Sequence, residues 1–288
     1  MTMRIAAAAY PVEVLPDWDS LHRKIAQWVA EADAELVVFP EYAGLEAALI
    51  GATTPLDTAE ETKRAAAAAP RYWQMVTAIA RAHKTTLLAG SLPARSETGD
   101  LVNRAALVTP HGGIAFVDKR QLTPWEQAET PLRPGTALPV FDPPDLPRLG
   151  VLICYDGEFP SQARAIRQTG AQLLLMPSAT EGATGASRVR IAARARALES
   201  GGHVALAQTV GDCALSSYLD RSAGQAGIYV APDSGAPPDG ILAETAPDTP
   251  GWARAPISSC LPEQVDIASA WDGQHNMAQL TPFAQKHA

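Results

Sequence analysis

The strongest constraint on the fold is an alternation. Short apolar runs, rich in Val, Ile, Leu and Ala, are separated by longer stretches whose apolar residues recur at helical spacing. Residues 3–10 and 36–39 read as strands around a helix over 18–33, where Leu21, Ile25, Trp28, Val29 and Ala32 share a face and Asp17 stands near the N-cap. A second helix is expected over 70–84 with Pro70 in its first turn, and strands over 86–92, 101–109 and 114–118, the last two joined by a Pro-His-Gly-Gly turn. From 119 to 147 the pattern is lost, and so long a loop within a domain is usually functional. Regularity returns with strands over 149–153, 172–176, 203–210, 227–231 and 240–244. Helices over 161–169 and 187–200 alternate with them, Ser187 serving as a cap. Such interleaving, with hairpins included, implies one α/β domain with mixed sheets covered by helices.

Composition narrows the partners. The 288 residues carry 23 basic and 31 acidic side chains, a formal charge of −8, and no run of Lys or Arg. Nucleic acid and anionic membrane are therefore not expected as partners. Apolar residues make up 47% and mean hydropathy is −0.05, which suits a chain able to bury a core. The N-terminal run is interrupted by Pro11 and reads as a strand, not a signal peptide; no run approaches the roughly 18 apolar residues of a membrane span. Cys154, Cys213 and Cys260 are too few and too scattered for a disulfide framework, so a reducing, cytoplasmic setting is expected. No CxxC, HExxH or paired metal-ligand spacing occurs.

In open α/β sheets ligands gather at the carboxyl ends of strands, and three such ends carry unusual residues. Val37-Val38-Phe39-Pro40-Glu41-Tyr42 places a carboxylate directly after an apolar strand. Phe116-Val117-Asp118-Lys119 places an amine at a strand end, before a loop holding Trp125, Glu126 and Glu129. Leu152-Ile153-Cys154-Tyr155-Asp156-Gly157-Glu158-Phe159-Pro160 ends a strand on a thiol and turns into a helix, so that the side chain and the following N–H groups point the same way. Each has a bland reading: a solvated loop Glu, a surface ion pair, an inert buried Cys. A thiol nucleophile needs a base and a cation; His203 reads as a strand-edge residue, and the strand ends offer Glu41 and Lys119.

In this order the three segments resemble the Glu-Lys-Cys signature of the nitrilase superfamily, the carbon–nitrogen hydrolases, and the likeness runs from the first strand to about Glu244. Supporting segments are Gly170–Ala179, Arg194-Ala195-Arg196-Ala197-Leu198-Glu199 and Gly224–Pro232. The resemblance implies a four-layer α-β-β-α sandwich and a hydrolase, amidase-like, acting on a non-peptide C–N bond of a small carboxamide. Cys154 would be the nucleophile and Glu41 the general base. Lys119, with the Tyr155 N–H, would hold the oxyanion. A second glutamate, Glu126 or else Glu129, would orient substrate or share the proton. Pocket walls are expected from Tyr42, Trp125, Tyr155, Glu158 and Phe159.

The resemblance also implies a small amide and water as reactants, no cofactor, and a homodimer or higher homo-oligomer. The hydrolase domain is expected over 1–246, with an irregular tail over 247–288 that reaches a partner subunit. Ser161, where the family usually has Glu, and the segments 208–211 and 222–227 depart from the family pattern near the pocket. The alternatives are an N-carbamoyl-compound hydrolase or nitrilase using the same residues, a glutaminase subunit feeding a separate synthetase, and a catalytically silent binding protein.

Overall fold

A computed structural model describes residues 2–232 and 235–258. In chain order it comprises β1 (Thr2–Pro11), α1 (Trp18–Ala32), β2 (Leu36–Phe39), α2 (Glu46–Leu49), α3 (Thr58–His83), β3 (Thr86–Arg95), β4 (Leu101–Val108), β5 (Ile114–Asp118), α4 (Pro124–Glu129), β6 (Val140–Phe141), β7 (Leu149–Val151), α5 (Pro160–Gln168), β8 (Leu173–Ser178), α6 (Ala183–Ser200), β9 (His203–Val210), β10 (Gly227–Val230), β11 (Ile241–Glu244) and β12 (Gly251–Ser258).

The strands run in the order β5-β4-β3-β2-β1-β9-β8-β7-β6. β1, β2 and β3 are parallel neighbours, as are β7, β8 and β9. Among the described residues the two sets join where Ala9, Tyr10 and Pro11 pair with Gln208, Thr209 and Val210. Before that junction β1 is flanked by β12, and β9 by β10. The continuous ladder is thus two sheets that share one corner.

Side-chain alternation then fixes the layers. Ala6, Ala8, Tyr10, Val37 and Phe39 point to one face and pack with Leu21, Ile25 and Val29 of α1 and Val76 and Ile79 of α3. Ile5, Ala7, Leu36 and Val38 point to the other and share a core with Leu149, Val151, Leu174, Leu206 and, from α6, Val189 and Ala193. The order is helices, sheet, sheet, helices. Both inner strands are buried on both faces, which is why they read as unbroken apolar runs.

Four sequence expectations are corrected. The helix expected from 70 begins at Thr58, capped by Asp57, whose side chain accepts the Glu60 N–H at 2.8 Å. Pro70 lies in its middle on an exposed face; a buried stripe of Ala65, Ala69, Tyr72, Trp73 and Val76 carries the helix through it. The last long helix starts at Ala183 after Gly182, four residues before the expected Ser187 cap. Part of the stretch expected to be irregular over 119–147 forms α4, held by a capping box between Thr123 and Glu126. Residues 251–258 are not tail: they form β12, antiparallel to β1 from Thr2↔Ser258 to Ala9↔Gly251. Ala253, Ala255 and Ile257 of that strand enter the inter-sheet core. The remainder of the expected tail, Cys260 included, lies outside the described residues.

Candidate active site

The parallel strands of both sheets end on the same edge, and the sequence-predicted residues stand there. Glu41 follows β2. Gly90, at φ +71°, lets the neighbouring strand pass close beneath the Pro40–Glu41 turn, since a Cβ there would lie 2.4 Å from the Pro40 carbonyl oxygen. Tyr42 adopts a left-handed φ of 61°, and its N–H donates to Ser91 Oγ at 3.0 Å. Lys119 follows β5, next to Asp118, whose carboxylate takes two bonds from Arg104 at 2.7 and 2.9 Å. The Lys119 N–H donates to the Asn103 carbonyl at 2.9 Å. Cys154 follows β7 with φ 50° and opens a 3-10 turn through Glu158. Two non-glycine residues in left-handed conformations, Tyr42 and Cys154, thus flank the glutamate. Such strain persists where surrounding structure holds it and is concentrated at functional sites.

Asp156 ties two of these strand ends together. Its buried carboxylate accepts the N–H groups of Gln121 at 2.7 Å, Arg120 at 3.2 Å and Ile153 at 3.2 Å. Arg196 of α6 donates to the Gly157 carbonyl at 3.2 Å from behind the turn. Gly157 itself has no room for a side chain, because a Cβ would meet Met176 Cε at 2.2 Å.

At the centre, Lys119 Nζ donates to Glu41 Oε1 at 2.8 Å and to Glu126 Oε2 at 2.7 Å. All three are nearly dry: Glu41 and Lys119 are 1% exposed and Glu126 2%. The acceptor positions decide what each glutamate can do, since a carboxylate offers about four. Glu126 has four donors: Lys119 and the Thr123 N–H (2.8 Å) on Oε2, the Tyr42 hydroxyl (2.5 Å) and Asn103 Nδ2 (3.5 Å) on Oε1. Glu41 has Lys119 and Asn103 Nδ2 (2.8 Å) on Oε1 and the Ala179 N–H (2.9 Å) on Oε2. The Cys154 sulfur stands 3.5 Å from the Ala179 carbonyl, close enough to Glu41 for each group to bias the other's proton.

Electrostatics separates the pair. Burial raises the proton affinity of Glu41, and the neighbouring Lys119 only partly offsets it. Burial acts on Glu126 too, but Lys119, Tyr42 and the Thr123 amide outweigh it and hold that carboxyl below its ordinary value. Burial opposes the charge on Lys119; Glu41 and Glu126 overcome it and keep the amine an ammonium. Burial, reinforced by Glu41, pushes the Cys154 thiol well up, so the sulfur rests protonated beside a glutamate with proton affinity to spare.

The cluster floors a cavity of about 790 Å³ whose wall includes Tyr42, Trp125, Tyr155, Glu158 and Tyr218. Among the described residues no group of three or more His, Cys, Asp and Glu is arranged to hold a metal ion, and no helix is long and apolar enough to cross a membrane.

A profile of the carbon–nitrogen hydrolase family matches residues 4–233. The chain belongs to that family. Among curated proteins, the chain is 28% identical to the probable hydrolase YhcX of Bacillus subtilis over 85% of its own length and 48% of the relative's. It is 31% identical to the deaminated glutathione amidase of Synechocystis over 58% of this chain and 62% of that one. To omega-amidase NIT2-A of Xenopus laevis it is 28% identical over 67% and 70%. The chain therefore spans about half of the first relative and about three fifths of the second. Among solved structures, an amidase from Nesterenkonia sp. superposes with a TM-score of 0.67 at 26% identity, covering 89% of this chain and 90% of that one. Nit3 of Saccharomyces cerevisiae, a nitrilase superfamily member, superposes with a TM-score of 0.68 at 23% identity over 88% and 89%, which shows the fold. The expected four-layer nitrilase fold is the one observed.

Within this family member, Glu41, Lys119, Glu126 and Cys154 meet at one point, while Glu129 is exposed at the end of α4. Tyr42, Trp125, Tyr155 and Glu158 line the cavity; Trp125, 40% exposed, stands at its mouth, and Glu158 pairs with Arg188 at 3.2 Å. Phe159 is not in the wall. It caps α5, where the chain turns away, and packs edge-on against Tyr155 at 5.0 Å. His203 is at the amino end of β9, paired with Leu173 and Val230, away from the carboxyl edge.

Sequence reasoning missed Asn103, the only described side chain besides Lys119 seen bonding both glutamates. The signal was present, a polar residue within the apolar run Leu101-Val102-Asn103-Arg104-Ala105-Ala106-Leu107. It also missed Tyr218, whose ring packs between those of Tyr42 (5.0 Å) and Trp125 (5.3 Å). Tyr218 sits in a loop clamped by Glu61 of α3, which accepts Ser216 Oγ at 2.6 Å, the Ser217 N–H at 2.6 Å and Ser217 Oγ at 2.8 Å. Nothing local in the sequence links residues so far apart.

Proposed function

We propose that this chain is an amidase that cleaves the C–N bond of a small carboxamide through a thioester on Cys154, releasing ammonia or an amine. The observation that carries this reading is the distribution of acceptors. Glu126 is saturated by four donors, whereas Glu41 has three, two on Oε1 and the Ala179 N–H on Oε2, so that Oε2 keeps an acceptor position while the Cys154 sulfur lies at the carbonyl of that same Ala179. Amidase-named relatives support the amide in preference to the nitrile or carbamoyl compound.

The sulfur adds to the carbonyl carbon as its proton passes to Glu41 Oε2. The carbonyl π electrons move to oxygen, which Lys119 Nζ and the Tyr155 N–H receive. Collapse breaks the C–N bond, and Glu41 returns the proton to the departing nitrogen. A water then gives its proton to Glu41 while adding to the thioester. Collapse of that second adduct releases the carboxylic acid and restores the thiol. Lys119 stays charged throughout, held by two carboxylates, so its contribution is a fixed field aimed at the oxyanion. Glu126 keeps that ammonium in place and remains ionised.

An ammonia-release screen over aliphatic amides, ω-amides, N-carbamoyl compounds and nitriles tests the proposal, with intact-mass analysis of the protein during turnover. Ammonia from amides together with an acyl adduct mapped to Cys154, both lost in Cys154→Ala, is the expected result. Absence of product and adduct across the panel would leave the silent binding protein as the reading.

A further inference from the structure

We infer that Asn103 is a positioning residue that commits Glu41 Oε2, and no other carboxylate oxygen of the cluster, to receive the Cys154 proton. The inference rests on reading Glu41 as the base of the thiol.

Asn103 is 0% exposed and sits on β4, opposite Pro93 of β3. Its Nδ2 lies between Oε1 of Glu41 at 2.8 Å and Oε1 of Glu126 at 3.5 Å, while its Oδ1 has no hydrogen-bond partner. The amide orientation is dictated by its surroundings. Turned over, Oδ1 would face two carboxylate oxygens with no proton between them. An amide that leaves its own buried oxygen unsatisfied, at a cost of about 1–3 kcal/mol, is held there by what its nitrogen does.

That nitrogen answers a charge problem. Two carboxylates share one ammonium, so the buried cluster carries one uncompensated negative charge. The groups facing Glu41 are Lys119 at the end of β5, Glu126 of α4, Cys154 after β7 and Tyr42 beside it. The Ala179 N–H completes the shell from the end of β8. Carboxylates this close commonly relieve their repulsion by sharing a proton, as paired acids do. A shared proton on the Oε1 side would leave Glu41 already neutral and unable to accept one from the thiol. Two N–H donors of a group that cannot itself titrate occupy that side instead. The remaining acceptor of Glu41 then lies on Oε2, the oxygen bonded by the Ala179 N–H, and the carbonyl of that same residue stands 3.5 Å from the sulfur. The Asn103 main chain serves the same end, since its carbonyl fixes the Lys119 backbone.

The test uses iodoacetamide, which needs no knowledge of the natural amide. The C–I bond breaks, the S–C bond forms, iodide leaves and the thiol proton goes to the base. The rate of Cys154 alkylation, followed by peptide mass against Cys213 and Cys260, is measured across pH for the full chain and for Asn103→Leu, Asn103→Ala and Glu41→Gln. Removing donors from a carboxylate raises its proton affinity. The acid limb of the alkylation profile should therefore move up by about one pH unit in both Asn103 variants, roughly a tenfold slower reaction on the acid side. At high pH the rates should converge with the parent, and Glu41→Gln should lose the limb altogether. Thermal unfolding of each variant identifies any that fail to fold, and the two replacements differ in volume so that one serves where the other does not. Profiles of the Asn103 variants that superpose on the parent, while Glu41→Gln changes its own, would overturn the role of Asn103 and leave the amidase reading standing. A Glu41→Gln profile identical to the parent would overturn both the inference and Glu41 as base, whatever the ammonia screen returns.

Discussion

Among the described residues two buried glutamate–lysine clusters, centred on Glu41 and Glu46 only five positions apart, behave differently. One is Glu41–Lys119–Glu126 at the carboxyl edge of the strands. The other is Glu46 of α2, 0% exposed, bonded by Lys24, by the Tyr10 hydroxyl at 2.7 Å and by the Glu13 N–H at 2.9 Å. Lys24 also donates to the Pro11 carbonyl at 2.6 Å, pairs with Glu13 at 2.7 Å and lies over the Tyr10 ring at 4.6 Å. Burial raises the proton affinity of both Glu41 and Glu46. What differs is the surroundings. Glu41 borders a cavity and a thiol; Glu46 is enclosed by β1, α1 and α2, and its donors come from the scaffold. A perturbed carboxyl is therefore a pointer to function only when an open acceptor and a reacting partner accompany it.

The comparison breaks most visibly on the lysines. Lys119→Met should lower amide hydrolysis by about 100-fold or more, through loss of the oxyanion donor. Lys24→Met, read in the same ammonia assay on folded protein, should leave turnover within about twofold. Equal losses in the two variants would show that the clusters are not functionally distinct.

Stability gives the converse and smaller effect. Glu46→Ala strands the Lys24 amine, the Tyr10 hydroxyl and the Glu13 amide, and should cost about 3 kcal/mol in urea unfolding, as breaking one side of a buried pair does. The kcat of the fraction that remains folded should hardly move.

A third contrast lies in the wall. Tyr218→Ala removes two ring contacts, each worth about 1 kcal/mol, and should raise KM roughly tenfold while kcat moves less. Glu61→Gln acts through the same loop, because an amide cannot accept on both ends as the carboxylate does from Ser216 and Ser217. Its rise in KM should run in the same direction and be smaller.

These contrasts also show what a sequence makes legible. Strand ends bearing Glu41, Lys119 and Cys154 were readable because β2, β5 and β7 are apolar runs that stop abruptly on a polar group. The α/β character followed from apolar runs alternating with helical periods, whereas the four layers were implied by the resemblance alone. The start of α3 was obscured by Pro70, whose local helix-breaking preference is overridden by a buried stripe on the opposite side. β12 was obscured because Pro256 and Arg254 give it the look of a tail, and only its pairing with β1 makes it a strand. Asn103, Asp156 and Glu61 act through contacts across long separations, and no local period announces those. Glu46, within Glu46-Ala47-Ala48-Leu49, gave no hint of burial for the same reason.

The finest distinction is in pH, and its sign follows from the shared cause. A glutamate raised by burial binds its proton more tightly in the folded than in the unfolded chain, where it titrates near about 4.3. The stability it contributes is full below that value and is lost as pH rises through the higher folded value. For Glu46 this is a slope in the unfolding free energy, and Glu46→Gln, which cannot titrate, should flatten it. Urea midpoints of variant and parent should draw apart in the variant's favour as pH climbs from about 4 towards neutrality. For Glu41 the same displacement appears as a rate. The base works only when ionised, so the acid limb of hydrolysis should lie above the ordinary glutamate range and be unmoved by Glu46→Gln. A limb that shifted with Glu46→Gln would mean that the two clusters exchange charge through β1 and β2, and the separation drawn between scaffold and site would fail there.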